Sequence, residues 1–595
     1  MKKITYKTGI ILALLTLLAS CNTWLDKPPL TSYLDDPSYW DSETSVRLFA
    51  NGFYSLFNGA GNNTTMSSTF VNTGTGNEAD IYFASFSDDQ TPIATSTPNE
   101  PFGSGGFNMF PPNAMPTANT WSTPYTFIRL AQLLLARIDE VPSTNITDAA
   151  KSHYKGMAYF FLAMEYFDLV RHYGDVPYVD KYLDQTADTT IMWGPRVNRD
   201  AVMDNVLADI NQAIAMLYTK SVADADQNLG ANTVNQDCAN LLKSRICLYE
   251  GTYAKYHENN MQRATQYLTE CKTASEAVMN SGNYALFPDY KTAYDSPNLS
   301  TGKGGEILLY RKYSAGIKPS LVNQIYTWAN STTGGSGLTK DAVESFLCTD
   351  GLPISLSPLY QGDVPTTTLS IANSVLANRD KRLIESVDTV LGCTGPAANK
   401  PKGIMTTSGY LITRFNPPTG STVTLTDEPV YWYPEVLLNE AEALVELGSF
   451  QQADADKTIN LLRARAGVAK LDVSNVPDDP KRDPDVSPLL WEVRRERRAE
   501  LMLTTFRYWD IRRWEKIGYL DPNMKPDIFL GAKLPTGKVF PGGGGLDPDR
   551  YIIVFPAATA VNRVVSDRDY LDYVPTEQIQ LYTAKGITFP QNPGW

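Results

Sequence analysis

Cysteine and histidine are scarce in this chain of 595 residues, which holds six of the first and three of the second. Cys238, Cys247, Cys271, Cys348 and Cys393 follow Cys21 with no CxxC spacing. That pattern argues against a disulfide framework and against a zinc site. Cys238, Cys247 and Cys271 fall in helical patterns, where a cysteine serves as a small buried hydrophobe. His257-Glu258 is followed by Met261 where a zinc protease needs its second histidine. No GxSxG elbow is present, because Gly334-Gly335-Ser336-Gly337 has its glycines at the wrong offsets. Ser152-His153-Tyr154-Lys155 spells SxxK with none of its partner motifs, and Gly542–Gly545 has no Lys-Ser/Thr behind it to make a P-loop. Asp224-Ala225-Asp226-Gln227-Asn228 begins like a calcium loop but has Leu229 at its glycine position and Asn235 at its glutamate position. Positive charge is short too: 52 Lys and Arg against 65 Asp and Glu give a net charge of −13. Nucleic acid needs a basic footprint and is excluded as a partner. Carboxylate pairs are plentiful, yet no local signature selects one for glycoside hydrolysis. The expectation is a protein with no catalytic residues, no cofactor and no metal.

Long apolar runs are also missing, save one at the start. Lys2, Lys3 and Lys7 precede an apolar run from Ile10 to Ala19, and small residues lead to Leu18-Ala19-Ser20-Cys21. A charged start, a short apolar core and small residues before a cut make a secretory signal. The run is about half of the roughly 20 residues that span a bilayer as a helix. The Leu-Ala-Ser-Cys end resembles the lipobox of bacterial lipoproteins, which implies removal of residues 1–20 and acylation of Cys21. Several acyl chains on one residue hold a domain at a membrane stably.

The rest has the composition of a folded protein, 43% hydrophobic and 20% charged. Helical periodicity covers Tyr125–Val141, Ala149–Tyr173, Arg199–Tyr218, Gln236–Tyr256, Met261–Ser281, Tyr433–Leu447, Gln451–Ala466 and Pro488–Leu503. Leu437, Ala441 and Leu444 share one helix face, Gly448 breaks the helix, and Ala455, Ile459, Leu462 and Ala466 make an answering stripe. The turn between them looks like that of a tetratricopeptide repeat, and Tyr249–Tyr253 with Ala264 is a weaker relative. Strand signals are confined to Glu306–Tyr313 and Tyr551–Phe555. Long irregular stretches, among them Asn58–Thr120, Val473–Pro488 and Asp521–Arg550, separate the helices, as functional loops do. The expected fold is mainly α: tetratricopeptide-like αα-hairpins with long irregular loops and a few short strands. In Trp491–Glu500 the acids Glu492, Glu496 and Glu500 stand at i, i+4 spacing among Arg494, Arg495, Arg497 and Arg498. That pattern predicts a charge network locking one helix to its neighbours, with Phe506, Trp509 and Trp514 as core anchors.

Several blocks resemble the SusD/RagB lipoproteins of Bacteroidetes. They are Tyr166–Tyr178, Asn240–Tyr253, Asp350–Ile354, Asn378–Leu383, Glu435–Gly448, Leu461–Gly467, Trp491–Trp514 and the terminal Gln591–Trp595. The resemblance runs from the lipobox to the last residue. It implies one SusD-like domain over 21–595, with an N-terminal helical part at 21–300 and a C-terminal RagB/SusD part at 301–595. It also implies lipid anchoring in the outer membrane, facing the exterior, with a SusC-like TonB-dependent transporter as partner. The implied function is binding of an oligosaccharide or polysaccharide for uptake. Peptide uptake by the same scaffold, or a tethered glycoside hydrolase, remain as alternatives.

Of 33 Tyr, 22 Phe and 10 Trp, many fall in Gly/Pro/Asn-rich segments, which run along surfaces. The apolar face of a sugar ring stacks on a flat aromatic ring, while Asn, Asp or Arg fix hydroxyls. Two regions fit and lie roughly where the family carries binding residues. The first holds Asp80, Tyr82, Phe83, Phe86, Phe102, Phe107, Asn108 and Phe110; the second holds Tyr290, Tyr294, Arg311, Tyr326 and Trp328.

Overall fold

The computed structural model describes residues 37–57, 87–91, 118–183, 189–302, 305–313, 337–392, 406–414, 426–540, 545–554 and 565–595. Its principal helices are α1 (Glu43–Asn51), α2 (Ala118–Arg137), α3 (Asp148–Tyr173), α4 (Arg199–Met216), α5 (Gln236–Tyr256) and α6 (Met261–Ser281). In the second half follow α7 (Lys340–Ser345), α8 (Lys381–Ser386), α9 (Tyr433–Glu446), α10 (Gln452–Lys457), α11 (Ile459–Ala466), α12 (Pro488–Glu500), α13 (Phe506–Arg513) and α14 (Thr576–Thr583). β1 (Ile307–Arg311) pairs antiparallel with β2 (Glu428–Trp432), Ile307 opposite Trp432. β3 (Leu530–Lys533), β4 (Gly545–Leu546) and β5 (Tyr551–Ile553) make a small antiparallel sheet in the order β3-β5-β4. This is the mainly α fold that the periodicity predicts.

α3 forms the spine. The Thr147 hydroxyl accepts from the Ala150 amide at its start, and Gly174, with φ at 70°, ends it. From Phe160 to Tyr173 every residue of α3 is buried, as expected of a helix walled in on all sides. The helices that pair do so through small residues. A Cβ on Gly251 of α5 would lie 2.8 Å from Leu268 of α6, and one on Gly156 of α3 would lie 2.8 Å from the Leu217 amide nitrogen. Only glycine permits those approaches, so Gly251 does for α5 and α6 what small residues do in tetratricopeptide hairpins. Cys238, Cys247 and Cys271 are buried, free thiols, and burial pushes the Cys238 thiol up to about 12.

The helix boundaries differ most from the sequence reading in two places. The stretch Gln451–Ala466 is two helices, broken at Thr458, whose hydroxyl donates to the Asp454 carbonyl at 2.5 Å. A threonine that bonds back to the i−4 carbonyl competes with the helical ladder. α2 begins at Ala118 and not at Tyr125, carrying Pro124 inside it. Trp121 is buried against Tyr173 and Phe589, with ring centroids 4.9 and 6.0 Å away. Packing of that ring overrides the local cost of the proline.

Candidate functional site

α12 carries the densest charge in the described structure, and its side chains divide by face. The row Glu492, Glu496 and Glu500 points inward. Arg463 of α11 donates to Glu492 at 2.8 Å and to Glu496 at 3.0 Å. Arg382 of α8 reaches Glu496 at 2.6 Å, Glu500 at 2.9 Å and Asp380 at 2.6 Å. Arg465 holds Glu500 as well, and reaches Glu306 at 2.7 Å. All of these side chains are buried. Arg497 joins α12 to Asp510 of α13 at 2.8 Å. The predicted helix lock is therefore present, and Phe506, Trp509 and Trp514 are buried beside it.

A second stripe, Trp491, Arg495 and Arg498, stands at i, i+4 and i+7 and lines a cavity of about 270 Å³. The turn Asp350–Ile354 supplies the facing wall. Gly351 takes φ at 81°, and the Asp350 carboxylate accepts from the Leu352 amide at 3.1 Å and the Ser357 hydroxyl at 2.7 Å. Pro353, Ile354 and Ser355 are thereby presented to the cavity. α7 brings Asp341 and Glu344, and the long stretches 473–488 and 521–550 bring Asp479, Lys481, Met524, Lys525 and Asp527. Tyr519 closes the cavity beside Arg507 and Lys525, which lie 5.4 and 4.8 Å from its ring centre.

The charges around this cavity are paired. Lys481 reaches Glu344 at 2.6 Å and Asp527 at 3.1 Å, and Lys340 holds the same two acids at 2.9 and 3.0 Å. Arg495 is paired with Asp479, which also accepts from the Trp491 indole at 3.3 Å. Burial raises the Asp479 carboxyl, but Arg495 together with hydrogen bonds from the Lys481 amide and the Trp491 indole holds the group below the usual range. Arg498 reaches Asp89 and Asp341, each at 2.7 Å, while Arg507 grips both oxygens of Asp88 at 2.7 Å. Burial pushes Asp88 up and the two arginines more than reverse it, leaving it well below an ordinary carboxylate.

Those contacts also place two chain segments side by side. Gln90 forms an antiparallel bridge with Leu338, and the Thr91 amide donates to the Gly337 carbonyl at 2.7 Å. Residues 87–91 follow directly on Phe86, and 337–341 follow the stretch that holds Tyr326 and Trp328. Residues 87–91 and 337–341 therefore lie side by side, with Asp88 and Asp341 both on the cavity wall.

Of the predicted ligand residues, three lie in described segments, and each has a structural task. Tyr290 and Tyr294 are buried in the core, 2% and 4% exposed. The Tyr290 hydroxyl donates to the Glu500 carbonyl at 3.0 Å. Arg414 lies 3.6 Å from the Tyr294 ring centre and 5.1 Å from that of Tyr290, with Arg465 5.4 Å from Tyr290. The faces a sugar would need are taken by guanidinium groups, which corrects the expectation of exposed platforms there. Arg311 lies half-buried on β1 and donates to the Phe57 carbonyl at 2.8 Å, tying the sheet to the end of the α1 region. Asp80, Tyr82, Phe83, Phe86, Phe102, Phe107, Asn108, Tyr326, Trp328 and Cys21 lie outside the described residues. The sequence reading assigned α12 wholly to structure and missed its cavity face. The i, i+4, i+7 spacing of Trp491, Arg495 and Arg498, offset from the glutamate row, was the available signal.

Among the described residues no group of three or more His, Cys, Asp or Glu could hold a metal ion, and no helix is long and apolar enough to cross a membrane. In the calcium-like segment, Lys220 already sits on both oxygens of Asp224 at 3.0 Å. The helical scaffold thus carries a cavity lined by ion pairs and an aromatic wall, the kind of concave feature in which small ligands bind. The chain belongs to the SusD family. Residues 300–595 match the family model described as SusD family, and residues 23–281 match one described as starch-binding associating with outer membrane. A SusD-like protein of Formosa agariphila is 22% identical over 529 residues, 86% of this chain and 91% of that one. The solved structure of a SusD-like carbohydrate binding protein from Bacteroides fragilis aligns with a TM-score of 0.67 at 20% identity, covering 91% of this chain and 99% of that chain. Surface glycan-binding protein A from Bacteroides thetaiotaomicron aligns with a TM-score of 0.58 at 15% identity, covering 93% and 100%.

Proposed function

We propose that this protein is a surface lipoprotein of the outer membrane that captures oligosaccharide and delivers it to a SusC-like TonB-dependent transporter. Residues 1–20 are removed, Cys21 is acylated, and 21–595 form one SusD-like domain whose N-terminal part ends near residue 300. The observation that carries this reading is the cavity of about 270 Å³ walled by the Trp491 and Tyr519 rings and by fixed ion pairs, among them Lys481 with Glu344 and Asp527. Rings and fixed hydrogen-bonding pairs at one place are what carbohydrate recognition requires. Affinity is then a sum over several rings, each contributing about 1–3 kcal/mol by analogy with other ring stacking. The family description and the names of the Bacteroides relatives support the same reading. Asp80, Tyr82, Phe83, Phe86, Phe102, Phe107, Asn108, Tyr326 and Trp328 are the further platform candidates.

The protein works without catalysis: it binds, holds and passes on. Purified mature protein titrated against a glycan panel is expected to bind at least one oligosaccharide and to release no reducing ends from it. Silence across all glycans, with binding to peptides instead, would overturn the reading in favour of peptide uptake. Release of reducing ends would overturn it in favour of a tethered hydrolase. Isolation from intact membranes is expected to bring down a large outer-membrane barrel, and recovery as a free monomer alone would contradict the delivery step.

A further inference from the structure

We propose that the cavity between α12, α7 and the turn at 350–354 is a subsite for one or two rings of an uncharged sugar. This rests on the glycan-capture reading and assigns the part of the ligand that this cavity takes. Its volume of about 270 Å³ lies just under the range of about 300–1,000 Å³ typical of small-molecule sites. A space of that size takes a short saccharide end.

Three observations fix the chemistry. Trp491 is the wall ring left for stacking. Its indole N–H donates edge-on to Asp479 at 3.3 Å, while the faces of Tyr519 are approached by Arg507 and Lys525. Lys481 spends two contacts on Glu344 and Asp527, and an ammonium has three donors. One N–H of Lys481 therefore remains for a ligand oxygen. Glu344 and Asp527, each held by two lysines, keep further lone pairs, since a carboxylate accepts at about four sites. A donor beside rigid acceptors suits adjacent sugar hydroxyls, each of which both donates and accepts. Finally, Arg495, Arg498, Arg507, Lys481 and Lys525 are each held by a carboxylate of the protein. A uronate or sialate reaching Arg495 or Arg507 would have to displace Asp479 or Asp88, each buried, at heavy cost. One reaching Lys481 would stand beside the carboxylates of Glu344 and Asp527, which repel it. A neutral sugar displaces none.

The test is calorimetric titration of the mature protein with neutral mono-, di- and longer oligosaccharides, with glucuronate and N-acetylneuraminate as charged controls. Two variants accompany it. Ser355→Tyr fills the cavity mouth from an exposed position, and Trp491→Phe keeps a ring while removing the indole N–H. A neutral saccharide is expected to bind with single-site saturation, at least ten-fold more weakly to Ser355→Tyr and within about three-fold of wild type to Trp491→Phe, with the charged sugars not competing. Oligosaccharide binding unaltered by Ser355→Tyr, or competition by either charged sugar, would overturn the subsite while leaving glycan capture standing. Absence of binding by every glycan would overturn both.

Discussion

The two faces of α12 are made of the same residue types and do opposite things. On the inner face, Glu492, Glu496 and Glu500 are surrounded by Arg382, Arg463 and Arg465 from two other helices, and every charge is buried. On the outer face, Arg495 and Arg498 are also paired, but their partners Asp479 and Asp341 stand around open space beside Trp491. Arginine and carboxylate side chains closed in on all sides hold the fold. The same groups left with one side facing a cavity become a preorganised lining. What separates the two roles is packing around the charges, not their identity.

That contrast can be broken most forcefully from the inner face. Arg382→Ala would leave Asp380, Glu496 and Glu500 without their shared cation, each 1% exposed in side chain. Truncating one partner of a buried pair costs about 3–5 kcal/mol. Chemical denaturation should show a loss of that size, and a loss near zero would mean that the inner network locks nothing.

Glu440 on α9 sharpens the comparison by being a buried carboxylate without such a lock. Its oxygens accept no hydrogen bond among the described residues, and Lys457 stands 3.9 Å away. Burial first, then Glu276, raises it from 4.5 to about 7, against the pull of Lys457 and Lys272. A carboxyl raised on folding binds its proton more tightly in the native state. Native stability therefore falls as pH rises from 4.5 towards 7 and stays low above that. Glu440→Gln should stabilise the protein by up to about 3 kcal/mol at pH 8 and make no difference below pH 4.5. Thermal melts at both pH values check this, and equal effects at the two would refute it.

The groups that face α12 across the cavity should respond least. Lys481 is 48% exposed in side chain, and removing an exposed pair costs about 0–1 kcal/mol. Lys481→Ala should thus barely move the denaturation midpoint, while weakening sugar binding. A stability loss equal to that of Arg382→Ala would erase the distinction between the faces.

Much of this fold was legible in the sequence because helical periodicity is a local property. The bounds of α5 and α6 follow from it to the residue, at Gln236–Tyr256 and Met261–Ser281. The break at Thr458 and the run of α2 through Pro124 were not, since each depends on a contact distant from the periodic pattern or hidden within it. The site was legible in part. The stretches Val473–Pro488 and Asp521–Arg550 stood out as too long to be idle, and both supply cavity wall. Tyr290 and Tyr294 misled because composition marks a loop but not which way its rings turn; Arg414, arriving from more than a hundred residues away in the chain, settles that. Trp491 was hidden by its neighbours, whose charges read as structure alone.

Crystals of the mature protein grown with a saturating neutral oligosaccharide would test the central claim most directly. The account predicts an ordered sugar ring against Trp491, with hydroxyls on Lys481, Glu344 or Asp527. Sugar ordered elsewhere, with only water in this cavity, would contradict it.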